Sequence, residues 1–181
     1  YLLRSYLERK QVLEELKNHA EAQEINAIRK EKLTQFSMSL QRIEEEKTLA
    51  EAFLSEAHRM GDFLQGTTYL VPFDAPNTLR CVAHFACNPP PQELFQFGEG
   101  LIGQCAIEQR VQVITAENLQ HFGKISSGLG NLCPRYVVLY PILSNAEFLG
   151  VVEIGFLSVP SEAAAANLNE MITVFATNLD I

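Results

Sequence analysis

Residues 136–156 read YVVLYPILSNAEFLGVVEIGF. Two runs rich in β-branched and aromatic residues flank Ser144-Asn-Ala-Glu147. The spacing predicts a hairpin of Tyr136–Ile142 against Phe148–Phe156. Upstream, Thr67–Pro72 and Thr78–Ala86 read as strands joined by a turn at Asp74-Ala-Pro-Asn77. Asn88-Pro-Pro-Pro91 opens a loop that a central strand would not tolerate. Gly100–Arg110 reads as a short helix and Val111–Thr115 as a third strand. Downstream, Pro160-Ser161 starts a last helix, with Ser161 as N-cap. Its apolar stripe is Ala164, Leu168, Met171, Ile172, Phe175 and Leu179. Short connections between neighbouring strands favour an antiparallel sheet with helices on one face, an α+β domain.

The first sixty residues have a different texture. Neither Gly nor Pro occurs before Gly61, and Glu, Lys, Leu, Ala and Gln dominate. Such a segment predicts helix. Leu33, Phe36, Leu40, Ile43, Lys47, Ala50, Leu54 and Ala57 alternate at spacings of three and four, which marks a seam that buries against a partner. The earlier frame, Leu2, Tyr6, Arg9, Leu13, Leu16, Ala20, Gln23 and Ala27, slips by one residue near 28–33. Such a slip locally changes the winding of a coiled coil. The expected arrangement is a parallel two-chain coiled coil over residues 1–60, with Leu33, Phe36, Leu40, Ile43 and Leu54 in the dimer interface, followed by a second domain at 61–181. A helical hairpin broken near residue 30, or an antiparallel bundle, is the other arrangement of the same pattern.

Composition narrows the function classes. The 181 residues carry a net charge of −8, of which residues 61–181 hold −7 with Arg80, Arg110, Lys124 and Arg135 as their cations. Nucleic-acid binding requires a basic face, and this distribution supplies none. The cysteines, Cys81, Cys87, Cys105 and Cys133, form no CxxC and no zinc-finger spacing; they read as reduced thiols, with no metal site. No stretch has the apolar length of a membrane span. An opening Tyr1 in place of Met reads as a fragment of a longer chain.

Phe97-Gly-Glu-Gly-Leu-Ile-Gly-Gln-Cys-Ala106, followed by Gln112-Val-Ile114, resembles the central segment of GAF domains. Val138–Leu143 with Phe148–Ile154 resembles that family's final hairpin. The run Ile125-Ser-Ser-Gly-Leu-Gly130 before a proline is similar to GAF domains of bacterial membrane-bound, often hybrid, sensor histidine kinases. The resemblance covers about residues 62–181. It implies a central antiparallel sheet flanked by helices, with a ligand pocket between the sheet and its covering loops. It also implies a cytoplasmic regulatory module that is not itself an enzyme. Such a module lies on the cytoplasmic side of an inner-membrane protein, forms a homodimer through residues 1–60, and relays input to a C-terminal kinase or other output domain in cis.

The pocket candidates are Ser126, Ser127, Arg135, Tyr136, Tyr140 and Glu153. Ser126-Ser-Gly-Leu-Gly130 is either a pocket lid or a turn into a strand. Glu153 sits in an otherwise apolar strand, and a buried carboxylate needs a partner. Arg135 or Tyr140 is the expected one, whether the pair anchors a ligand or is internal. No cofactor is identifiable: the Asn-Lys…Phe…Asp-Glu signature of cyclic-nucleotide GAF domains is missing, Pro134 stands where bilin sites place a His, and His84 and His121 are each a lone imidazole. The enzymatic alternative is a thiol-based reductase of the free methionine-sulfoxide type, for which the resemblance implies Cys105 as nucleophile and Cys133 as resolving thiol.

Overall fold

Helix α1 spans Leu2–Leu40 in the structure, a computed structural model that describes residues 2–115, 125–127 and 130–179. The expected positions His121, Lys124, Gly128 and Leu129 lie outside the described residues. The chain divides into two units, Tyr1–Met38 and Ser39–Ile181, so the boundary expected at Gly61 falls near Met38.

The first unit is α1 alone. Thirty-nine helical residues extend about 58 Å at 1.5 Å per residue. The helix is continuous through 28–33, where the heptad frame slips. Exposed i,i+4 contacts decorate it, including Arg4 Nε to Glu8 Oε1 at 3.3 Å and Lys17 Nζ to Glu21 Oε1 at 3.9 Å. Each contributes only a few tenths of a kcal/mol, roughly 0.2–0.5. Leu2, Tyr6, Leu13 and Leu16 of the earlier frame are exposed.

The expectation of one sixty-residue helix does not hold. The chain turns at Gln41–Glu45, where the Ile43 amide donates to the Leu40 carbonyl at 3.0 Å. A separate helix α2, Glu46–Met60, follows. Glu45 caps it with extended backbone and accepts from the Thr48 hydroxyl at 2.6 Å. Leu49, Ala50, Phe53, Leu54 and Ala57 of α2 are all buried within the second unit. The physical reason is that a glycine-free sequence permits a break wherever burying an apolar face outweighs helix propensity, which is a weak preference per residue. Leu40 is fully buried, Leu54 is buried and Ile43 sits half-buried in the turn. None of these three is an open seam position. Leu33 is half-buried and Phe36 buried.

The second unit is built on a six-stranded antiparallel sheet. Its strands are β1 Gln65–Leu70, β2 Thr78–Phe85, β3 Leu94–Gln96, β4 Gln112–Thr115, β7 Tyr136–Ser144 and β8 Glu147–Phe156, in the order β3-β2-β1-β8-β7-β4. Strands β5 Ile125–Ser127 and β6 Gly130–Leu132 pair separately. The β7–β8 hairpin closes at Asn145 and Ala146, both at positive φ, as expected from the sequence. Strand β3, absent from the sequence expectation, pairs Leu79 with Phe95 at the sheet edge.

Alternation places the two sheet faces against different layers. On one face lie α2 and α4, Glu162–Leu179. Phe53 and Phe175 stack there with ring centroids 4.5 Å apart. The α4 N-terminus is capped by Ser161, whose Oγ accepts from the Ala164 amide at 3.1 Å. Of the expected stripe, Leu168, Met171, Ile172 and Phe175 are buried, while Ala164 is exposed and Leu179 half-buried. On the other face α3, Gly100–Glu108, places Ile102, Cys105 and Ala106 in one cluster with Tyr69, Leu79, Val137, Leu139 and Val151.

Gly103 sets how closely α3 approaches. A Cβ there would collide with the Gln96 carbonyl oxygen and with the Gly98 backbone. Gly98 and Gly100, both at positive φ, make the turn that delivers the helix to this position.

Candidate functional site

Strand register decides which side chains meet on the α3 face. Glu153 of β8 is paired on one side with Thr67 of β1 and on the other with Leu139 of β7. A cavity of about 560 Å³ opens above this row. Its floor is Gln65, Thr67 and Tyr69 of β1, Val137 of β7, and Glu153 and Gly155 of β8. Its walls are Phe95 of β3, Leu101 and Ile102 of α3, and the segment Cys87–Gln92. A volume of this size is ordinary for a small-molecule pocket, roughly 300–1,000 Å³.

The polar groups of the floor are mutually engaged. The Thr67 hydroxyl donates to Glu153 Oε2 at 3.1 Å. Burial pushes the Glu153 carboxyl above the usual carboxylate range, and the Thr67 hydrogen bond opposes that rise only in part. The Tyr69 hydroxyl donates to the Gln92 carbonyl at 3.0 Å, tying the proline segment to the sheet. Burial raises the Tyr69 phenol, and charge on Cys81 or Glu153 would add to the rise. The Cys87 thiol donates to the carbonyls of Phe85 at 3.4 Å and Gly66 at 3.7 Å. Burial pushes this thiol up to about 11, with the Glu153 carboxylate adding to the shift. Gln65 Oε1 is buried without a hydrogen-bond partner among the described residues.

A bulge in β2 explains why Cys81 belongs to this face while Ala83 and Phe85 do not. Tyr69 pairs with Cys81, but Thr68 pairs with Ala83, leaving Val82 extra. The extra residue flips the alternation. Leu79 and Cys81 pack on the α3 cluster. Phe85 lies against His58 and Phe63 beside α2, with centroid distances of 4.4 and 6.2 Å.

Of the residues expected at the pocket, Glu153 lines it. Its side-chain partner is Thr67 from β1, in place of the expected Arg135 or Tyr140 from β7. Arg135 is exposed ahead of β7, with its amide donating to the Phe156 carbonyl at 2.8 Å. Tyr136 and Tyr140 fall on even positions of β7 and so face the α2/α4 layer, away from the cavity. Ser126 and Ser127 pair with Asn131 and Gly130 in the β5–β6 hairpin; their side chains lie outside the described residues. His84 is exposed. Cys105 is fully buried in the α3 cluster, with its thiol pushed up to about 11 by burial. It lies in the core, outside the cavity lining. Cys133 is exposed, so the thiol that lines the cavity is Cys87.

The residues not anticipated are Gln65, Thr67, Tyr69, Cys87, Phe95 and Leu101. The alternation of Gln65, Thr67 and Tyr69 was the available signal, but only the β1–β8 register assigns it to the same face as Glu153. Among the described residues no group of three or more His, Cys, Asp or Glu can hold a metal ion. None of the described helices is long and apolar enough to cross a membrane.

No protein-family model and no curated protein matches the sequence. Solved structures do match the fold. The GAF domain of the Acinetobacter phosphoenolpyruvate-protein phosphotransferase superposes with a TM-score of 0.68 at 14% identity, covering 84% of this chain and 93% of that one. The GAF domain of the Coxiella burnetii phosphoenolpyruvate-protein phosphotransferase gives 0.64 at 16% identity, with coverages of 84% and 92%. The free methionine-R-sulfoxide reductase of Neisseria meningitidis, solved with its substrate, gives 0.66 at 17% identity, with coverages of 85% and 89%. The sheet order, the α3 turn and these likenesses agree: the fold of this chain is that of a GAF domain, preceded by a long helix.

Proposed function

We propose that this chain is a regulatory sensor module of a bacterial signalling protein. In this reading the GAF domain binds a small molecule and relays its state to a C-terminal output domain, a histidine kinase in the first instance. The module works on the cytoplasmic side of an inner-membrane protein. It is a homodimer through its leading helix, now narrowed to α1, where Leu2, Tyr6, Leu13 and Leu16 are exposed at heptad spacing. The kinase assignment is supported by the resemblance of the 125–130 run.

The observation that carries the reading is the cavity of about 560 Å³ floored by Glu153. It combines apolar walls with a few convergent polar groups, the composition of a binding site. Native mass spectrometry of the purified chain tests it. The expected outcome is a small molecule retained by the wild type and lost when Leu101→Trp fills the cavity mouth. A wild type that retains nothing through native desalting overturns the reading.

A second reading, a thiol-based reductase of free methionine sulfoxide, is favoured by the likeness to the Neisseria enzyme and by Cys87 in the cavity wall. The reactive species would be the thiolate, and a thiol held near 11 supplies little of it. Methionine production from free methionine sulfoxide with dithiothreitol separates the two. Turnover that Cys87→Ser abolishes establishes the reductase; the sensor reading expects none.

A further inference from the structure

Apart from the side-chain amides of Gln65 and Asn88, which offer both donors and acceptors, the hydrogen-bonding inventory of the described cavity lining is lopsided. Its hydroxyl and thiol donors are spent inside the protein. Thr67 donates a hydrogen bond to Glu153, Tyr69 to the Gln92 carbonyl, and Cys87 to backbone carbonyls. The Gln92 side-chain amide donates to the Leu94 carbonyl at 2.7 Å and to Glu99 Oε1 at 3.3 Å. The acceptors are less fully used. A carboxylate offers about four lone-pair sites, and the Thr67 hydroxyl occupies one of those on Glu153. Gln65 Oε1, on the same strand face as Thr67, is buried and has no hydrogen-bond partner among the described residues. Leaving such an acceptor desolvated and unpaired is unfavourable, and a ligand donor would relieve it.

Charge points the same way. The described lining contains no Lys, Arg or His. Residues 61–181 are acidic overall. An anionic ligand would meet Glu153 as a like charge with no cationic side chain opposite it among the described lining residues, whereas a cation supplies a counter-charge to a buried carboxylate. Phe95, Leu101, Ile102 and the Pro89–Pro91 run offer apolar surface for the rest of the molecule.

We propose that the cavity takes a small cationic ligand, an ammonium, amidinium or guanidinium group on an apolar or aromatic body, with its N–H donors on the Glu153 carboxylate and Gln65 Oε1. This rests on the reading of the cavity as a ligand site and adds the class of ligand. It makes Thr67 a positioning residue, since its hydroxyl holds one oxygen of Glu153, a residue that lines the cavity. The groups around Glu153 that titrate, Tyr69 on β1, Cys81 on β2 and Cys87 after it, all stay protonated at neutral pH. Glu153 is therefore the group around the cavity floor that can carry negative charge; burial raises its carboxyl, and affinity for a cation falls as acid protonates it.

Three probes of one shape and different charge test this: benzamidinium, benzamide and benzoate, measured by saturation-transfer NMR and calorimetry at pH 7.5. The expected result is benzamidinium binding at least about tenfold tighter than the other two, a difference worth about 1.4 kcal/mol. Glu153→Gln should abolish that preference, and Gln65→Met should weaken benzamidinium while leaving the fold intact. Benzoate or benzamide binding as tightly as benzamidinium overturns the cationic assignment and leaves the ligand site standing. So does a preference unchanged in Glu153→Gln. Failure of all three probes to bind overturns the ligand class and counts against the site itself.

Discussion

Glu153 concentrates what a sequence says and what it withholds. A carboxylate within Gly150-Val-Val-Glu-Ile154 announces itself as anomalous by composition alone. Its neighbour across the sheet is a matter of register, and register depends on pairing between residues far apart in sequence, here Thr67 and Glu153. The same limit hid Tyr140: its phenol is as plausible a partner as Thr67 until alternation assigns it to the opposite face. The energetic consequence is testable. Because burial raises the Glu153 carboxyl in the folded state, the folded protein binds that proton more tightly than the unfolded chain. The stabilising effect of the protonated form is fully present below the unfolded carboxyl pKa and is lost as pH rises through the folded one. Glu153→Gln, which keeps the shape and removes the charge, is therefore expected to raise the urea midpoint at pH 8 and to leave it nearly unchanged at pH 4. The Thr67 hydroxyl retains an oxygen acceptor in the variant. Urea titrations at both pH values check this, and a variant less stable than wild type at pH 8 would contradict it.

At the level of elements, helices and hairpin were legible because their signals are local. The β7–β8 pair, the α3 turn and the Ser161 cap all follow from residues within a few positions of one another. What the leading sixty residues bury against was not legible. A 3.6-residue apolar period says that a face is covered and is silent on what covers it. Leu54 fits the heptad of a two-chain rod and equally fits a helix lying on its own sheet. The structure takes the second arrangement, with Leu54 beside Gly66 and Ile154. The β2 bulge was hidden for a related reason: Leu79, Cys81, Ala83 and Phe85 alternate without interruption, although the extra Val82 sends them to two faces. The two views of Leu54 predict different outcomes for Leu54→Asp. In a coiled-coil seam the substitution gives folded monomers. In the domain core it buries an unpaired charge in place of an apolar side chain, a loss of roughly 3–5 kcal/mol. The expected result is loss of the cooperative thermal transition and of soluble yield. A variant that melts like wild type but halves in mass would restore the seam.

For the whole molecule, the division at Met38 separates two kinds of stability. The second unit carries its own core on both faces of the sheet, with Phe53, Phe175, Tyr69 and Leu139 all fully buried. A chain beginning at Ser39 thus retains the elements that hold the cavity. Up to residue 28, by contrast, the leading helix carries large apolar side chains in solvent: Leu2, Leu3, Tyr6, Leu13 and Leu16 are each more than half exposed, while Leu33 is half-buried and Phe36 buried. An isolated helix is marginal in water without tertiary or quaternary burial. Under the dimer proposal a second copy supplies that burial. Deletion of residues 1–32, which spares buried Phe36, is expected to give a monomer by sedimentation while preserving the far-UV signal of the sheet and the benzamidinium preference of the cavity. The double substitution Leu13→Asp and Leu16→Asp in the full chain should also give monomers, because two charges in a heptad seam cost more than the neighbouring contacts return. If the full chain sediments as a monomer at the micromolar concentrations where coiled coils of this length persist, then α1 does not pair with its own copy. The relay of the proposed sensor reading would then have to run through the second unit alone.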